Sequence, residues 1–209
     1  MLVKIKNKII SMIGKRKNKV LETQWRSRLK NDNFSIICSS CIGGVIYNRL
    51  GKKILSPTIN LYFTQGDFIK FACDLPYYIS QNLNFVDSEE DFPVAMLDDI
   101  TVYFNHAKSA NEAMEDWNRR KDRINYNNIY IILYYRDNYT IDEIRKIEQA
   151  HCKRKIILTS KKLDLDYAYY MEENINQPNS EVFLDKDKYG IRTFEKKWDF
   201  ISWLNGTDD

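Results

Sequence analysis

Short apolar runs alternate with amphipathic stretches along the chain from residue 34 onward. Short apolar runs are typical of buried strands, and the amphipathic stretches between them are typical of helices that cross from one strand to the next. The pattern predicts strands at residues 34–38, 59–63, 94–97, 100–104, 129–135 and 155–159. The expected fold class is therefore α/β, with a three-layer, mostly parallel, Rossmann-like sheet that carries helices on both faces.

The run at residues 129–135 has no polar alternation, which is expected of a central strand covered on both faces. Helices are predicted to begin at Ser109 and Thr140, because each is followed three residues later by a glutamate, as in a capping box. A helix over residues 67–80 should kink or end at Pro76. A C-terminal helix is predicted over residues 195–204. Short strands and loops are predicted over residues 164–193.

The first segment of the chain has the pattern of a basic amphipathic helix. Lysines alternate there with apolar residues at helical spacing, namely Leu2, Ile5, Ile9, Met12 and Ile13. Gly14 and the basic cluster at residues 15–19 predict a flexible joint after it. Such a helix either lies on an anionic membrane surface or packs on its own domain. We therefore divide the chain into a basic arm, residues 1–30, and a single α/β domain, residues 31–209.

Positive charge is concentrated in the arm, where residues 1–30 contain ten lysines or arginines and the single acid Glu22. The rest of the chain is acidic and has no recognised nucleic-acid motif, so we expect no nucleic-acid partner. Four irregularly spaced cysteines fit a reducing compartment better than a disulfide framework. No apolar run approaches the ~20 residues of a membrane span. The expected location is the cytoplasm, with the inner face of the membrane as the alternative.

The segment from Ser39 to Gly44 is predicted to be a tight turn between a strand and a helix. In open parallel sheets, ligands bind beyond the carboxyl ends of strands, where helix N-termini also point. A cysteine there feels the helix dipole and unpaired N–H groups, which stabilise its thiolate, so Cys41 is the candidate nucleophile. The alternative is a small buried residue without chemistry. Gly43 and Gly44 admit close backbone approach, so the N–H groups of this turn could instead cradle a phosphate or carboxylate.

Only two histidines, His106 and His151, are available as a base. His106 follows the predicted strand 100–104, at the sheet edge expected to hold Cys41, which makes it the candidate base. His151 lies at the end of a predicted helix. A cationic side chain there interacts favourably with the helix dipole, which explains this histidine without a catalytic role. A zinc site would need a second pair of ligands, so no metal is expected.

A run of cations follows Trp117, and its arginines could hold a phosphate or an acidic sugar. These arginines are Arg119, Arg120 and Arg123. The favoured alternative is a solvated helix face, because Glu115 and Asp116 stand four residues before the first two arginines, at the spacing of helical ion pairs.

Distinctive blocks of residues occur in a fixed order along residues 34–159. They are Cys41-x-Gly43-Gly44, Ser56-Pro57-Thr58, Asp67-Phe68-Ile69-Lys70-Phe71, Phe92-Pro93-Val94, Asp99-Ile100, His106 and Trp117-Asn118-Arg119-Arg120-Lys121-Asp122-Arg123-Ile124-Asn125. In this order they resemble the domain-of-unknown-function 1919 family, bacterial proteins often labelled exopolysaccharide biosynthesis proteins. Family members usually carry Asn-Asn before the cysteine and Trp after it, where this chain has Ser39, Ser40 and Ile42.

The resemblance implies a bacterial cytoplasmic protein that acts on nucleotide-linked or lipid-linked sugars at the inner membrane face. Together with the turn, it leads to the hypothesis of a transferase in exopolysaccharide or capsule biosynthesis that moves an acyl group to a sugar hydroxyl. Cys41 would be the nucleophile, His106 the base, and N–H groups near Gly43 the oxyanion donors. Substrate contacts would come from Ser39, Ser40, Gly43, Gly44, Arg119, Arg120 and Arg123.

The substrates expected under this hypothesis are a sugar and either acyl-coenzyme A or a nucleotide sugar, with no tightly bound cofactor. Two alternatives stay open. One is a glycosyl or phospho-sugar transferase that binds a nucleotide sugar without a covalent intermediate. The other is a non-catalytic partner that docks on a membrane-bound assembly through the basic arm.

Overall fold

The computed structural model describes residues 2–135, 139–172 and 183–207. The chain forms two compact units. The first contains residues 1–32, 48–52 and 171–209, and the second contains residues 33–47 and 53–170. The predicted arm thus shares a unit with C-terminal residues that the sequence analysis assigned to the α/β domain.

A four-stranded parallel sheet forms part of the second unit. Its strands are β1 (Ser35–Cys38), β5 (Ile129–Tyr134), β6 (Arg154–Thr159) and β7 (Ala168–Tyr170), in the order β1-β5-β6-β7. The prediction of a central strand is confirmed, because β5 pairs with β1 on one edge and β6 on the other. Only its last residue, Tyr134, is not fully buried, as expected of a strand covered on both faces.

A separate antiparallel sheet contains β2 (Leu83–Val86), β3 (Val94–Leu97) and β4 (Ile100–Tyr103). The prediction of a single three-layer, mostly parallel, Rossmann-like sheet is therefore wrong, although the mixed α/β class is confirmed. The physical reason is the two-residue connection Asp98-Asp99 between β3 and β4. Such a link joins antiparallel neighbours only, because a parallel pair needs a crossover of about a dozen residues. Asp98 has the positive φ, 55°, that such tight turns require.

Two sequence segments differ from the predicted strands. Residues 59–63 do not form a strand; Tyr62 makes an isolated antiparallel bridge with Tyr103, and Asn60 has a φ of 66°. Strand β2 was not predicted. It is short and partly exposed, and its sequence lacks the continuous apolar run that marks β5.

Most helices of the second unit lie where the sequence predicts them. They are α2 (Ile42–Leu50, which ends in the first unit), α3 (Gln65–Cys73), α4 (Leu75–Ser80), α5 (Ala110–Lys121) and α6 (Ile141–Arg145), which a 3-10 turn (Lys146–Gln149) follows. The predicted helix over residues 67–80 is broken between Cys73 and Leu75. Pro76 lies in the first turn of α4. A backbone N–H at this position would have no partner within the helix, so proline breaks no hydrogen bond there.

The two predicted helix starts are confirmed, with one difference in their caps. Thr140 makes the full capping box with Glu143. At α5, Ser109 accepts the N–H of Glu112, but the Glu112 carboxylate accepts the N–H of Lys108 rather than that of the cap. In both arrangements, side chains accept hydrogen bonds from backbone N–H groups at or next to the helix start. These N–H groups have no partner within the helix.

The first unit contains α1 (Leu2–Arg28), α7 (Thr193–Lys197) and α8 (Phe200–Asn205). The predicted joint at Gly14 is wrong, because α1 is continuous through it. A Cβ atom at Gly14 would lie 2.7 Å from the carbonyl oxygen of Tyr189, so the glycine permits close contact between α1 and that backbone. The Asn18 amide donates to the carbonyls of both Gly14 and Tyr189, at 2.7 and 2.9 Å.

The C-terminal helix predicted over residues 195–204 is instead the pair α7 and α8, separated where Trp198 is extended. Of the region 164–193, predicted to hold short strands and loops, the structure shows β7 and a bridge between Lys186 and Arg192. Residues 173–182 of that region lie outside the described residues. No helix within the described part of the chain is long and apolar enough to cross a bilayer.

Candidate functional site

The turn between β1 and α2 forms as predicted, with strand, tight turn and helix in succession. β1 ends at Cys38, and the Cys41 carbonyl accepts the N–H of Val45 at 3.1 Å, the first i to i+4 bond of α2. Cys41 is therefore the N-cap residue of α2, at the carboxyl end of β1. It is exposed, so the candidate nucleophile is accessible to a reagent or substrate.

The two serines before Cys41 are buried and hold the turn together. The Ser39 hydroxyl accepts the N–H of Tyr134, at the end of β5, at 2.8 Å. The Ser40 hydroxyl accepts the N–H of Ile42 at 3.4 Å and lies 3.5 Å from the Cys38 sulfur. Both hydroxyls predicted to bind substrate are thus bonded within the fold, Ser39 to β5 and Ser40 within the turn, and these bonds position the turn.

Close packing of helix against strand explains the two glycines. A Cβ atom at Gly43 would lie 3.0 Å from Cβ of Cys38, and one at Gly44 would lie 3.2 Å from Cγ2 of Ile59. Neither glycine has a positive φ. The glycines therefore let α2 begin directly against β1 and the segment that holds Ile59.

Cys38 and Cys41 lie in different environments, although they are only three residues apart. Burial raises the pKa of the Cys38 thiol, and hydrogen bonds from Ser40 and from the Gly43 N–H offset part of this rise. The Gly43 N–H, predicted to serve an oxyanion, is thus bonded to Cys38. A buried thiol with a raised pKa is a poor nucleophile, because the thiolate is the reactive form. Cys41 is the accessible thiol of the pair.

The outer edge of β1 is hydrogen-bonded by side chains that were not among the predicted site residues. The Tyr47 hydroxyl donates to the Phe34 carbonyl at 2.9 Å and accepts the Ile36 N–H at 3.0 Å. The Thr58 hydroxyl accepts the Cys38 N–H at 3.0 Å. Because β1 is an edge strand, these bonds take the place of a further ladder. The Ser56-Pro57-Thr58 block was the available signal, since it stood among the family blocks.

His106 is exposed in the loop after β4. Its pairing with Cys41 was argued from a shared parallel sheet, and that step is wrong, because β4 belongs to the antiparallel sheet and β1 to the parallel one. The pairing itself stays a prediction. His151, exposed just beyond the 3-10 turn, keeps its place near a helix end.

The arginines of α5 mostly have partners within the fold. Arg120 is buried and donates to the Ile59 carbonyl and to Asp116, both at 2.5 Å. Arg119 pairs with Asp116 as well. Burial lowers the pKa of Arg120. The predicted pair of Asp116 with Arg120 is confirmed, and these contacts favour a structural role over phosphate binding for both arginines. Arg123 is half-buried at the end of the cation run.

The family described as Domain of unknown function (DUF1919) has a sequence profile that matches residues 12–205. The chain belongs to the DUF1919 family. The match extends beyond the blocks at residues 34–159 to include most of α1 and the C-terminal helices. An uncharacterized protein of Haemophilus influenzae (strain Rd) is 29% identical over 199 residues, which are 95% of this chain and 97% of that protein.

The turn of this DUF1919 protein holds Cys41 exposed at the start of α2. A thiol at a helix N-terminus lies at the positive end of the helix dipole, which favours the thiolate. The first turn of α2 contains no acidic side chain that would oppose this effect. Such a sulfur can attack a carbonyl carbon and carry an acyl group. Among the described residues, no three side chains of the metal-binding types come together as a site.

Proposed function

We propose that this DUF1919 protein is an acyltransferase of bacterial surface-polysaccharide assembly, and that Cys41 carries the acyl group. The observation that supports the proposal is the exposure of the Cys41 thiol at the start of α2, beside a buried Cys38 whose pKa is raised. The sugar acceptor is taken from the polysaccharide label that the family resemblance implies. The donor is a thioester of the acyl-coenzyme A class.

The reaction has two steps. In the first, a base removes the thiol proton, the Cys41 sulfur bonds to the donor carbonyl carbon, and the donor's carbon–sulfur bond breaks as coenzyme A leaves and takes the proton. In the second, a sugar hydroxyl loses its proton to the base and attacks the acyl carbon, which releases the Cys41 sulfur to be protonated again. We propose that His106 is the base. N–H groups in the first turn of α2, other than that of Gly43, would stabilise the oxyanion by hydrogen bonding.

The test is to incubate the full chain with acetyl-coenzyme A and follow the intact mass. An added acetyl group that maps to Cys41 and is absent from Cys41→Ser is expected. Cys38→Ala is the matched control, because Cys38 is buried, and it should still acquire the acetyl group. Equal acetylation of Cys41→Ser and the wild type would overturn the nucleophile assignment.

A second arm tests the base. His106→Ala should slow adduct formation at neutral pH by roughly 100-fold or more, the usual loss when a general base is removed. His151→Ala is the control with the same loss of an imidazole, and it should react at the wild-type rate. If the two variants react equally fast, His106 is not the base, whereas the assignment of Cys41 rests on its own variants.

A further inference from the structure

One side of α1 carries large apolar side chains that are exposed. We call this set the outer stripe; each member is 39–56% exposed, and its residues are Ile5, Ile9, Met12, Ile13 and Val20. At 100° per residue, all five lie within one half of the helix circumference. Single exposed apolar residues are ordinary on a protein surface, but a continuous stripe marks an interaction surface.

The opposite side of α1 holds the helix in the first unit. Gly14 and Trp25 are buried on this side, and the Trp25 ring packs 5.2 Å from the ring of Phe200. Asn18 bonds the Tyr189 carbonyl from the same side. Within the first unit the outer stripe is therefore directed away from these packing contacts, so the fold does not use it for its own core.

Positive charge borders the outer stripe on both sides. The exposed cations at the flanks and within the stripe are Lys6, Lys8, Arg16, Lys17 and Lys19. The one acidic residue of α1, Glu22, already pairs with Arg49 and Arg26. The charges beside the stripe are thus of one sign, which suits an anionic partner.

We propose that the outer stripe docks α1 in the plane of an anionic membrane surface. Its apolar side chains enter the boundary between headgroups and acyl chains, and the flanking lysines meet lipid phosphates, as in interfacial amphipathic helices. A lipid surface fits better than a second copy of the chain, because two such stripes face to face would bring their cations together. This inference does not depend on the proposed acyl transfer.

The test uses the full chain and sedimentation with vesicles of phosphatidylcholine, alone or with 30 mol% phosphatidylglycerol. Binding to the anionic vesicles, and little to the neutral ones, is expected. The double variant Ile9→Asp/Met12→Asp should bind the anionic vesicles at least ~10-fold more weakly, because burial of each side chain is lost. Ile141→Asp is the control, since Ile141 is also exposed, at 41%, at the start of α6, where an acid is well tolerated.

Charge is tested separately. Lys8→Gln and Lys19→Gln should each weaken anionic binding by roughly fivefold, whereas Lys108→Gln and Lys153→Gln, both exposed elsewhere, should not. Failure of the wild type to bind anionic vesicles would overturn the proposal, as would unchanged binding by Ile9→Asp/Met12→Asp. A dimer in solution that this variant converts to a monomer, without vesicle binding, would show that the stripe pairs two copies instead.

Discussion

At the scale of single residues, replacement of a helical glycine by alanine can lower or raise stability, depending on which atoms lie opposite the added methyl group. Gly14 in α1 faces the Tyr189 carbonyl oxygen, which an added Cβ would meet at 2.7 Å. A Cβ atom added at Gly66 in α3 would meet the Tyr139 hydroxyl at 3.5 Å, which is an ordinary contact. The two positions therefore separate helix propensity from packing.

Gly14→Ala should lower the free energy of unfolding by about 1–3 kcal/mol, because backbone must move to admit the methyl group. This is the net change, after the ~1 kcal/mol that alanine gains over glycine in a helix interior is subtracted from the steric cost. Gly66→Ala, the control, should leave stability unchanged or raise it. Urea unfolding measures both variants, and a stabilised Gly14→Ala protein would contradict the close contact.

Asp199 makes stability depend on pH. It caps α8 by accepting the Ser202 N–H, and it pairs with Arg28 of α1. Burial acts to raise the pKa of the Asp199 carboxyl, but the bonds from Arg28 and Ser202 outweigh it, and the pKa is lower than usual. A group whose pKa falls on folding adds stability that is complete above its unfolded pKa, about 4, and is lost as the pH falls through the folded value.

Asp199→Asn should therefore reduce the acid sensitivity of the protein. Asparagine remains a good N-cap, so the variant removes the ion pair and the titrating group but keeps the cap. The expected result is a smaller difference in urea midpoint between pH 6 and pH 3 than in the wild type, with lower stability at pH 6. Parallel pH profiles for the two proteins would show that this carboxylate contributes nothing to acid unfolding.

At the scale of elements, one guanidinium joins the parts of the first unit. Arg49 donates to Glu195 of α7 at 2.6 Å, to Glu22 of α1 at 2.9 Å, and to the Gly190 carbonyl at 3.3 Å. Burial acts to lower the pKa of Arg49, but bonds to the two glutamates outweigh it and raise the pKa. The Glu195 side chain is fully buried, and Arg49 is its nearer cation, since the Arg192 guanidinium lies 3.9 Å away.

Arg49→Met should cost about 3 kcal/mol of unfolding free energy, because it removes the nearest cation from a buried carboxylate and leaves only the longer contact with Arg192. The double variant Arg49→Met/Glu195→Met should recover much of that loss, since the uncompensated buried charge is gone. Calorimetry or urea unfolding of the four proteins in the cycle gives the coupling. Additive losses would mean that the two side chains do not depend on each other.

At the scale of the whole molecule, α1 is a structural part of the first unit as well as a basic arm. Trp25 is buried against Phe200, and Gly14 contacts the Tyr189 backbone. Removal of residues 1–28 therefore exposes apolar surface of the C-terminal helices. Removal of the whole helix would confound a test of membrane binding with loss of fold, which is why point variants are preferable.

Deletion of residues 1–28 should destabilise the C-terminal segment and increase the binding of a hydrophobic dye such as ANS. Deletion of residues 1–9 is the control, since residues 4–9 are exposed, and it should leave near-UV circular dichroism unchanged. Equal near-UV spectra for both truncated proteins would show that the C-terminal helices pack without α1.

Local patterns predicted most elements correctly. The unbroken apolar run placed β5 in the centre of a sheet, the Thr140 and Glu143 spacing located a helix start, and the small-residue turn located Cys41 between strand and helix. Each of these depends on residues within one turn or strand. The strand predicted over residues 59–63 was wrong, because an apolar run can be buried with only a single bridge, here between Tyr62 and Tyr103, instead of a ladder.

The sequence by itself therefore determined most of the helices and strands, the position of a cysteine at a helix start, and the basic charge of α1, because periodicity, caps and composition act over a few residues. The tertiary structure decided that this cysteine is exposed rather than buried. Only the tertiary structure decided which strands share a sheet, and so removed the argument that placed His106 beside Cys41. It also decided that Gly14 is a contact rather than a joint, and which face of α1 is left outside. Those outcomes depend on residues distant in the chain, whose packing no local pattern encodes.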